Sequence, residues 1–459
     1  MVRHVVADRF ELLSQAGKGG MGSVHRARDR QTGNEVAVKI LNLDRPMDVA
    51  RFGREASLLA QVQHPNIVGY VDHGMTTDGI YYLAQEWVDG ITLRTQLRTL
   101  GVTLAEGVVM ALGLADALGA AHALNVVHRD VKPENLILAG GEAERLKLVD
   151  FGIARVADDA AKLTRTGTMI GTVSYMAPEQ ARGRGNIGPA ADVWAVGCVL
   201  YEIMTGRAPF PGHTPMAIRA KVLLDHPIPV AELCPEAPPS LTKLIDRMLL
   251  KAPEQRPQTG AEAASLLRQL GAMPAGPRRR SGATEPATAA MPVRSRSREQ
   301  VAPGGPGEIK AFVFFTSCEV AQPDTVTDHQ ATLERAADKH GLDVHIMEDG
   351  SALLAARAGG KAGAVGAARA ALELREILPD VAVSIVGQHG DDAMGEALER
   401  GSQALERAAM GALFGDIVAG AEAGVHVDDI IADLVAEEGD VSPGADGPIL
   451  RPRRHGSGS

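Results

Sequence analysis

The chain has 459 residues, a length that suits two or three domains, and its 45% hydrophobic content allows a sizeable core. Its net charge of −10 argues against nonspecific nucleic-acid binding by the whole chain. Cys198, Cys234 and Cys318 are scattered and odd in number, which excludes a disulfide framework and fits a reducing cytosol.

No cysteine or histidine cluster has zinc-ligand spacing. The first ten residues lack a signal-peptide core, and no uninterrupted apolar run is long enough to span a bilayer. The expectation is a soluble cytoplasmic protein with no membrane span and no nucleic-acid partner.

Strand-like alternation comes first, over 10–13, 23–28 and 35–40. Between the first two runs lies Gly17-Lys18-Gly19-Gly20-Met21-Gly22-Ser23-Val24. Glycines let a backbone approach phosphates and point amide hydrogens at them. The run enters a strand rather than a helix, which disfavours a dinucleotide-binding fold. Val36-Ala37-Val38-Lys39 follows at strand spacing, and its lysine is a compact charge suited to phosphate oxygens, or a plain exposed strand lysine.

A helix comes next, with Phe52, Ala56, Leu59 and Val62 on one face. Glu55 on that helix can pair with Lys39. Strands around 67–72 and 81–87 follow. The pattern then turns helical: Leu104, Val108, Leu112, Ala115 and Leu118 mark a long amphipathic helix, and 192–204 and 241–250 are helical in period. A small β-rich lobe before a larger helical lobe is the expected architecture over 10–270.

Two strings inside that span carry chemistry. His128-Arg129-Asp130-Val131-Lys132-Pro133-Glu134-Asn135 can hold a base beside a substrate hydroxyl, with an amide placed to grip a metal. Asp150-Phe151-Gly152 can bring a carboxylate to nucleotide phosphates. Together they point to phosphoryl transfer.

Taken in order, the glycine run, Val36 to Lys39, the Asp130 string, Asp150-Phe151-Gly152, Ala177-Pro178-Glu179, Asp192-Val193-Trp194 and Gln255-Arg256-Pro257 resemble the protein serine/threonine kinases of eukaryotic type found in bacteria. The resemblance implies an α+β bilobal kinase fold and an ATP- and magnesium-dependent transferase acting on protein hydroxyls. It implies that Asp130 orients the substrate hydroxyl and accepts its proton, and that Lys132 neutralises the moving phosphoryl. Lys39, held by Glu55, would meet the phosphates, while Asn135 and Asp150 would hold Mg2+.

In the same way, Ala16, Gly17, Lys18, Gly19, Gly20, Met21, Gly22 and Ser23 would cradle ATP. Val24, Ala37 and Ile137 would sandwich the adenine, and Glu86 and Val88 would bond its edge through their backbones. Gln85 falls at the gatekeeper position. His128 and Phe151 read as packing residues, Arg129 as a contact for a loop phosphate, and Arg256 as the partner of Glu179. Thr164, Thr166 and Thr168 are candidate autophosphorylation sites in the signalling role that the resemblance implies, and Thr172 a structural tie. Protein substrates are the implied partners, and a homodimer through either domain fits the resemblance. The alternatives are a pseudokinase scaffold, a small-molecule kinase and a nucleotide cyclase.

Residues 271–307 are rich in proline, glycine, serine and arginine, and read as a flexible basic linker. The other reading is a docking or phosphoacceptor segment using Ser281, Thr284, Ser295 or Ser297. From 308 to 438 the order strand, helix, hairpin, helix, strand suits a ferredoxin-like sheet. This part resembles, more weakly, a class III nucleotide cyclase domain, with Phe312 to Ser317, Glu348-Asp349-Gly350 and Gly395-Glu396-Ala397-Leu398 in the expected order. Ser317 stands where the first metal aspartate would be and Asp349 at the second. Glu399 and Gln403 stand near the transition-state positions. That implies a degenerate domain for dimerisation or sensing, against an unrelated ferredoxin-like fold. Residues 439–459 read as a disordered tail.

Overall fold

The computed structural model describes residues 5–19, 22–41, 46–151, 173–182, 187–281, 309–317, 323–347, 351–378, 381–389, 394–414, 425–444 and 447–452. Its first unit is a six-stranded antiparallel sheet ordered β1-β2-β3-β4-β6-β5. The strands are β1 (Val5–Val6), β2 (Phe10–Gly19), β3 (Gly22–Asp29), β4 (Glu35–Leu41), β5 (Tyr70–Met75) and β6 (Tyr81–Glu86). The period of two in β4 buries Val36 and Val38 and leaves Ala37 and Lys39 on the opposite, partly open face. Helix α1 (Pro46–Leu59) buries Phe52, Ala56 and Leu59, as its spacing predicts.

A helical lobe follows. It contains α2 (Leu93–Thr99), α3 (Leu104–His122), α4 (Pro178–Ala181), α5 (Ala190–Thr205), α6 (Pro215–Leu224), α7 (Val230–Leu233), α8 (Pro239–Met248) and α9 (Gly260–Gln269). A small sheet of β7 (Gly90–Thr92), β8 (Leu136–Ala139) and β9 (Leu146–Leu148) sits at its junction with the first unit. Helix α3 begins with a capping box: Thr103 accepts from the Glu106 amide, and the Glu106 carboxylate accepts from the Thr103 amide. This helix is the one, among the described residues, long and apolar enough to cross a membrane, and it is a packed element of the lobe core. Gly119 lets α9 approach it, since a Cβ there would lie 2.8 Å from the Ala261 amide nitrogen.

Beside α5, the Lys251 ammonium donates to the Val222 carbonyl at 2.6 Å and lies 4.0 Å from the Phe210 ring centre. Burial pushes its pKa down to about 7. An unfolded lysine titrates near about 10.4. Between those values the unfolded chain holds the extra proton, so stability rises with pH from about 7 upward. Urea midpoints at neutral and alkaline pH should show that rise, and Lys251→Met should flatten it. A midpoint that falls with pH in a Lys251-dependent way would contradict the burial.

The residues after α9 correct the expectation of a free linker. Val102 and Arg279 exchange two backbone hydrogen bonds of 2.9 Å, and the Ser281 amide donates to the Leu97 carbonyl at 3.0 Å. Arg278 pairs with Glu106, and Arg279 with Glu236. Residues 271–281 are thus a strap on the helical lobe. Of the other candidate phosphoacceptors, Thr284, Ser295 and Ser297 lie outside the described residues.

The second unit holds a seven-stranded sheet ordered β11-β12-β10-β13-β14-β16-β15. Its strands are β10 (Ile309–Ser317), β11 (Leu342–Ile346), β12 (Ala352–Ala356), β13 (Val381–His389), β14 (Val425–Val427), β15 (Asp440–Gly444) and β16 (Gly447–Arg451). All pairs are antiparallel except β13 with β14. The pair β15 and β16 falls where a disordered tail was expected. Short alternating runs rich in Pro and Gly hid it, although Ile449 and Leu450 are buried. The turn at Asp349 lies outside the described residues.

Helices α10 (Pro323–His340) and α11 (Gly360–Ile377) pack together, and α11 lies on one face of this sheet. Ala311, Val313 and Phe315 join that core. Phe312 and Phe314 alternate to the other face, under α12 (Met394–Phe414). A Cβ on Gly401 would lie 2.2 Å from the Phe314 ring, so only glycine lets α12 sit this close. A final helix, α13 (Asp429–Val435), follows β14.

The outer side of α12 meets α6 of the helical lobe. Glu399 accepts from the His213 amide at 2.8 Å and pairs with Lys221 at 3.4 Å. The hydroxyls of Thr214 and Ser402 bond each other, both buried. Glu399→Lys would turn a largely buried attraction into repulsion. It is expected to weaken docking by about 2 kcal/mol or more. Hydrogen exchange in 211–225 and 394–405 should then accelerate; unchanged exchange would contradict this contact.

Candidate active site

Asp192 organises the turn that carries Asp130. Its buried carboxylate accepts from the amides of His128 and Arg129, each at 2.8 Å, and from His122 Nε2 at 2.9 Å. These bonds hold Arg129 at a φ of 64°, in the left-handed region. The Asp130 amide donates to His128 Nδ1 at 3.2 Å, so the ring proton sits on Nε2, which donates to the Val149 carbonyl at 3.1 Å. Burial pushes the His128 pKa down, in keeping with a neutral ring. His128 packs against Phe151 with ring centres 4.6 Å apart and the rings tilted by 52°, the packing role expected for both.

Lys132 Nζ lies 2.9 Å from Asp130 Oδ2. Asn135 turns its amide nitrogen to the carbonyl of Asp130 (2.8 Å) and to its carboxylate (3.1 Å). That orientation leaves the amide oxygen as its ligand-capable atom. Asn135 is fixed by a 3-10 turn, Pro133–Asn135, and its carbonyl receives the Val149 amide at 3.0 Å. Asp150 also has a positive φ, of 56°.

Asp150 Oδ1 lies 2.9 Å from Lys39 Nζ. Burial works to raise the Asp150 pKa, but Lys39 beside it reverses this and the net shift is downward. The carboxylate is therefore ionised, and the ion pair placed on Lys39 is with Asp150, where the sequence suggested Glu55. Asp150 and Glu55 are both partly buried, Glu55 within α1.

The glycine run forms the β2–β3 hairpin, with Gly17 opposite Val24, Lys18 opposite Ser23 and Gly19 opposite Gly22. Gly20 and Met21 lie outside the described residues. Gly22 has a φ of 139°, and a Cβ there would lie 1.8 Å from the Ile40 carbonyl oxygen, so no other residue fits. Ala16, Gly17 and Lys18 are exposed, and Ser23, Val24, Ile137 and Val88 are partly open. Val24 pairs with Lys39, and Ala37 with Gln85. Gln85 Nε2 is buried without a hydrogen-bond partner. The Glu86 amide donates to the Gly69 carbonyl at 2.7 Å.

Arg256 grips Glu179 with two bonds of 2.8 and 2.9 Å, the pair expected from the sequence. Arg129 Nε is buried without a partner. Thr164, Thr166, Thr168 and Thr172 lie outside the described residues. Sequence reasoning missed the role of Asp192, and also a network in which Arg94 bonds Glu134, Glu202 and Tyr175. A charged residue in an otherwise apolar helix was the available signal for both Asp192 and Glu202.

Ser317 ends β10, but Glu399 and Gln403 lie at the contact with α6, where Gln403 reaches Glu399 at 3.4 Å. Among the described residues no group of three or more His, Cys, Asp or Glu is placed to hold a metal by itself.

The chain is similar to serine/threonine-protein kinase PknB of Mycolicibacterium smegmatis, 38% identical over 272 residues, 57% of this chain and 43% of that protein. PknB of Mycobacterium tuberculosis is 39% identical over 265 residues, 56% of this chain and 42% of that one. The chain thus spans less than half the length of these curated relatives. The solved PknI kinase domain of Mycobacterium tuberculosis aligns at 25% identity with a TM-score of 0.47, over 59% of this chain and 98% of that one. The family model for the protein kinase domain matches residues 10–268, and the chain belongs to that family.

Proposed function

We propose that the chain is an ATP- and magnesium-dependent serine/threonine protein kinase. The observation that carries this reading is convergence: Lys39 and Asp150 pair across 111 positions, beside the Asp130, Lys132 and Asn135 cluster. Asp130 orients the substrate hydroxyl and takes its proton. Lys132 and Lys39 balance phosphate charge, and the backbone of the β2–β3 hairpin covers the phosphates.

The Asn135 amide oxygen and the Asp150 carboxylate suit magnesium, a hard cation that takes few protein ligands when phosphates supply the rest. Held by these two residues, the ion would supply positive charge to offset the phosphates. Val24, Ala37 and Ile137 suit the adenine faces, and the backbone of Glu86 and Val88 its edge. The unpartnered Gln85 amide at the back of the cleft favours a ligand with a hydrogen-bond acceptor. Protein hydroxyls are the proposed substrates and the cytoplasm the proposed site of action.

The unpartnered Arg129 Nε supports a phosphate ligand from the 152–172 segment. Replacing Thr164, Thr166 and Thr168 together by alanine should lower kcat by about fivefold or more. Unchanged kinetics would remove the loop switch. For the second unit we propose a ferredoxin-like sheet, since its strand order β13-β10-β12-β11 matches that topology. The placement of Glu399 and Gln403 in a domain contact favours a binding role over cyclase chemistry. We read the chain as 10–270 kinase, a 271–307 connection whose first part is docked, and a second unit from 308 that extends to about 452.

Magnesium-dependent ATP binding tests the reading. Wild-type protein should bind ATP with magnesium, and Lys39→Met should bind it more weakly. No binding by folded wild-type protein would overturn it.

A further inference from the structure

The 271–281 strap does not lie flush on the helical lobe. Beneath it is a cavity of about 180 Å3 lined by Leu104, Ile203, Met204, Cys234, Pro274 and Pro277. Its two charged lining residues, Glu236 and Arg279, are partly exposed and paired with each other. Away from that pair, which lies at the exposed side of the cavity, the lining side chains are apolar, and a water molecule needs two to four polar partners. Apolar cavities of about this size stay dry and take up benzene or xenon.

We propose that this cavity is a binding site for a small apolar ligand, the size of an aromatic ring or a short branched hydrocarbon, with the strap as its cover. The site is separate from the nucleotide cleft and does not depend on the transfer activity proposed above. From the strap a series of side-chain contacts runs toward that cleft. A ligand touching Pro274 and Pro277 holds the strap down. The strap's Ser281 hydroxyl donates to Glu202 at 2.7 Å, Glu202 binds Arg94, and Arg94 binds Glu134 at 2.8 Å, next to Asn135.

Cys234 is buried in the cavity wall and reports on its opening. In full-length protein carrying Cys318→Ser, alkylation of Cys234 can be followed by mass spectrometry, with Cys198, buried in α5, as an internal reference. Benzene is the probe. It should slow Cys234 alkylation along a saturating curve, by about tenfold at ten times its half-maximal concentration. Filling the space with Leu104→Trp or Ile203→Phe should abolish that protection in protein that keeps its circular-dichroism spectrum. Xenon-129 NMR of the unmutated chain gives a second readout, in which a bound signal is expected. Alkylation indifferent to benzene up to its solubility, equal protection in folded filled variants, or no bound xenon would each overturn the proposal.

Discussion

Asp130→Asn is expected to lower kcat by about 10²–10⁴-fold, the range for loss of a positioned acid-base group, with KM for ATP unchanged. The asparagine keeps the shape and one acceptor oxygen, so Lys132 and Asn135 retain a partner and the turn held by Asp192 stays folded. What disappears is the negative charge that aligns a hydroxyl and receives its proton. A fall in kcat with unchanged KM marks an interaction made in the transition state. A parallel rise in KM, or a wild-type rate, would place the base elsewhere.

Arg256→Met is expected to have the largest effect on stability, about 3–5 kcal/mol, because it strands a buried partner. The guanidinium is fully buried and bonds Glu179 twice, with further bonds to the carbonyls of Leu250, Lys251 and Ala190. Removing it leaves Glu179 and three carbonyls without their donor. Trp194, 4.9 Å from the guanidinium, is a local fluorescence reporter for urea titration of this lobe. The double variant with Glu179→Gln should recover part of the loss, since the uncompensated charge is gone. A loss of less than about 1 kcal/mol would class the pair with exposed ion pairs.

The chemistry was legible in the sequence wherever it lies in one short string. Asp130, Lys132 and Asn135 are within six positions, so their meeting needs only a local turn. Partnerships across long loops were legible only through resemblance, as for Arg256 with Glu179. Lys39 pairs with Asp150, 111 positions away, and a linear pattern does not carry which carboxylate the fold brings to it.

Asp192 illustrates the same limit. Its three donors sit 63 to 70 positions upstream, and only the fold brings them to one carboxylate. The strap was misread for a different reason. Its proline and arginine composition signals weak self-structure, yet it is held by a neighbour: Arg278 and Arg279 find Glu106 and Glu236, which are remote in sequence. Likewise, Glu399 and Gln403 resembled displaced catalytic positions, while Glu399 contacts His213 and Lys221 and Gln403 bonds Glu399.

Phosphosite mapping by mass spectrometry after incubation with magnesium-ATP tests the central claim most directly, with Asp130→Asn protein beside the wild type. The account predicts phosphate on serine or threonine of the wild-type chain, including at least one of Thr164, Thr166 and Thr168, and none on the variant. Equal labelling of both proteins, or an unlabelled wild-type chain that binds ATP, would contradict it.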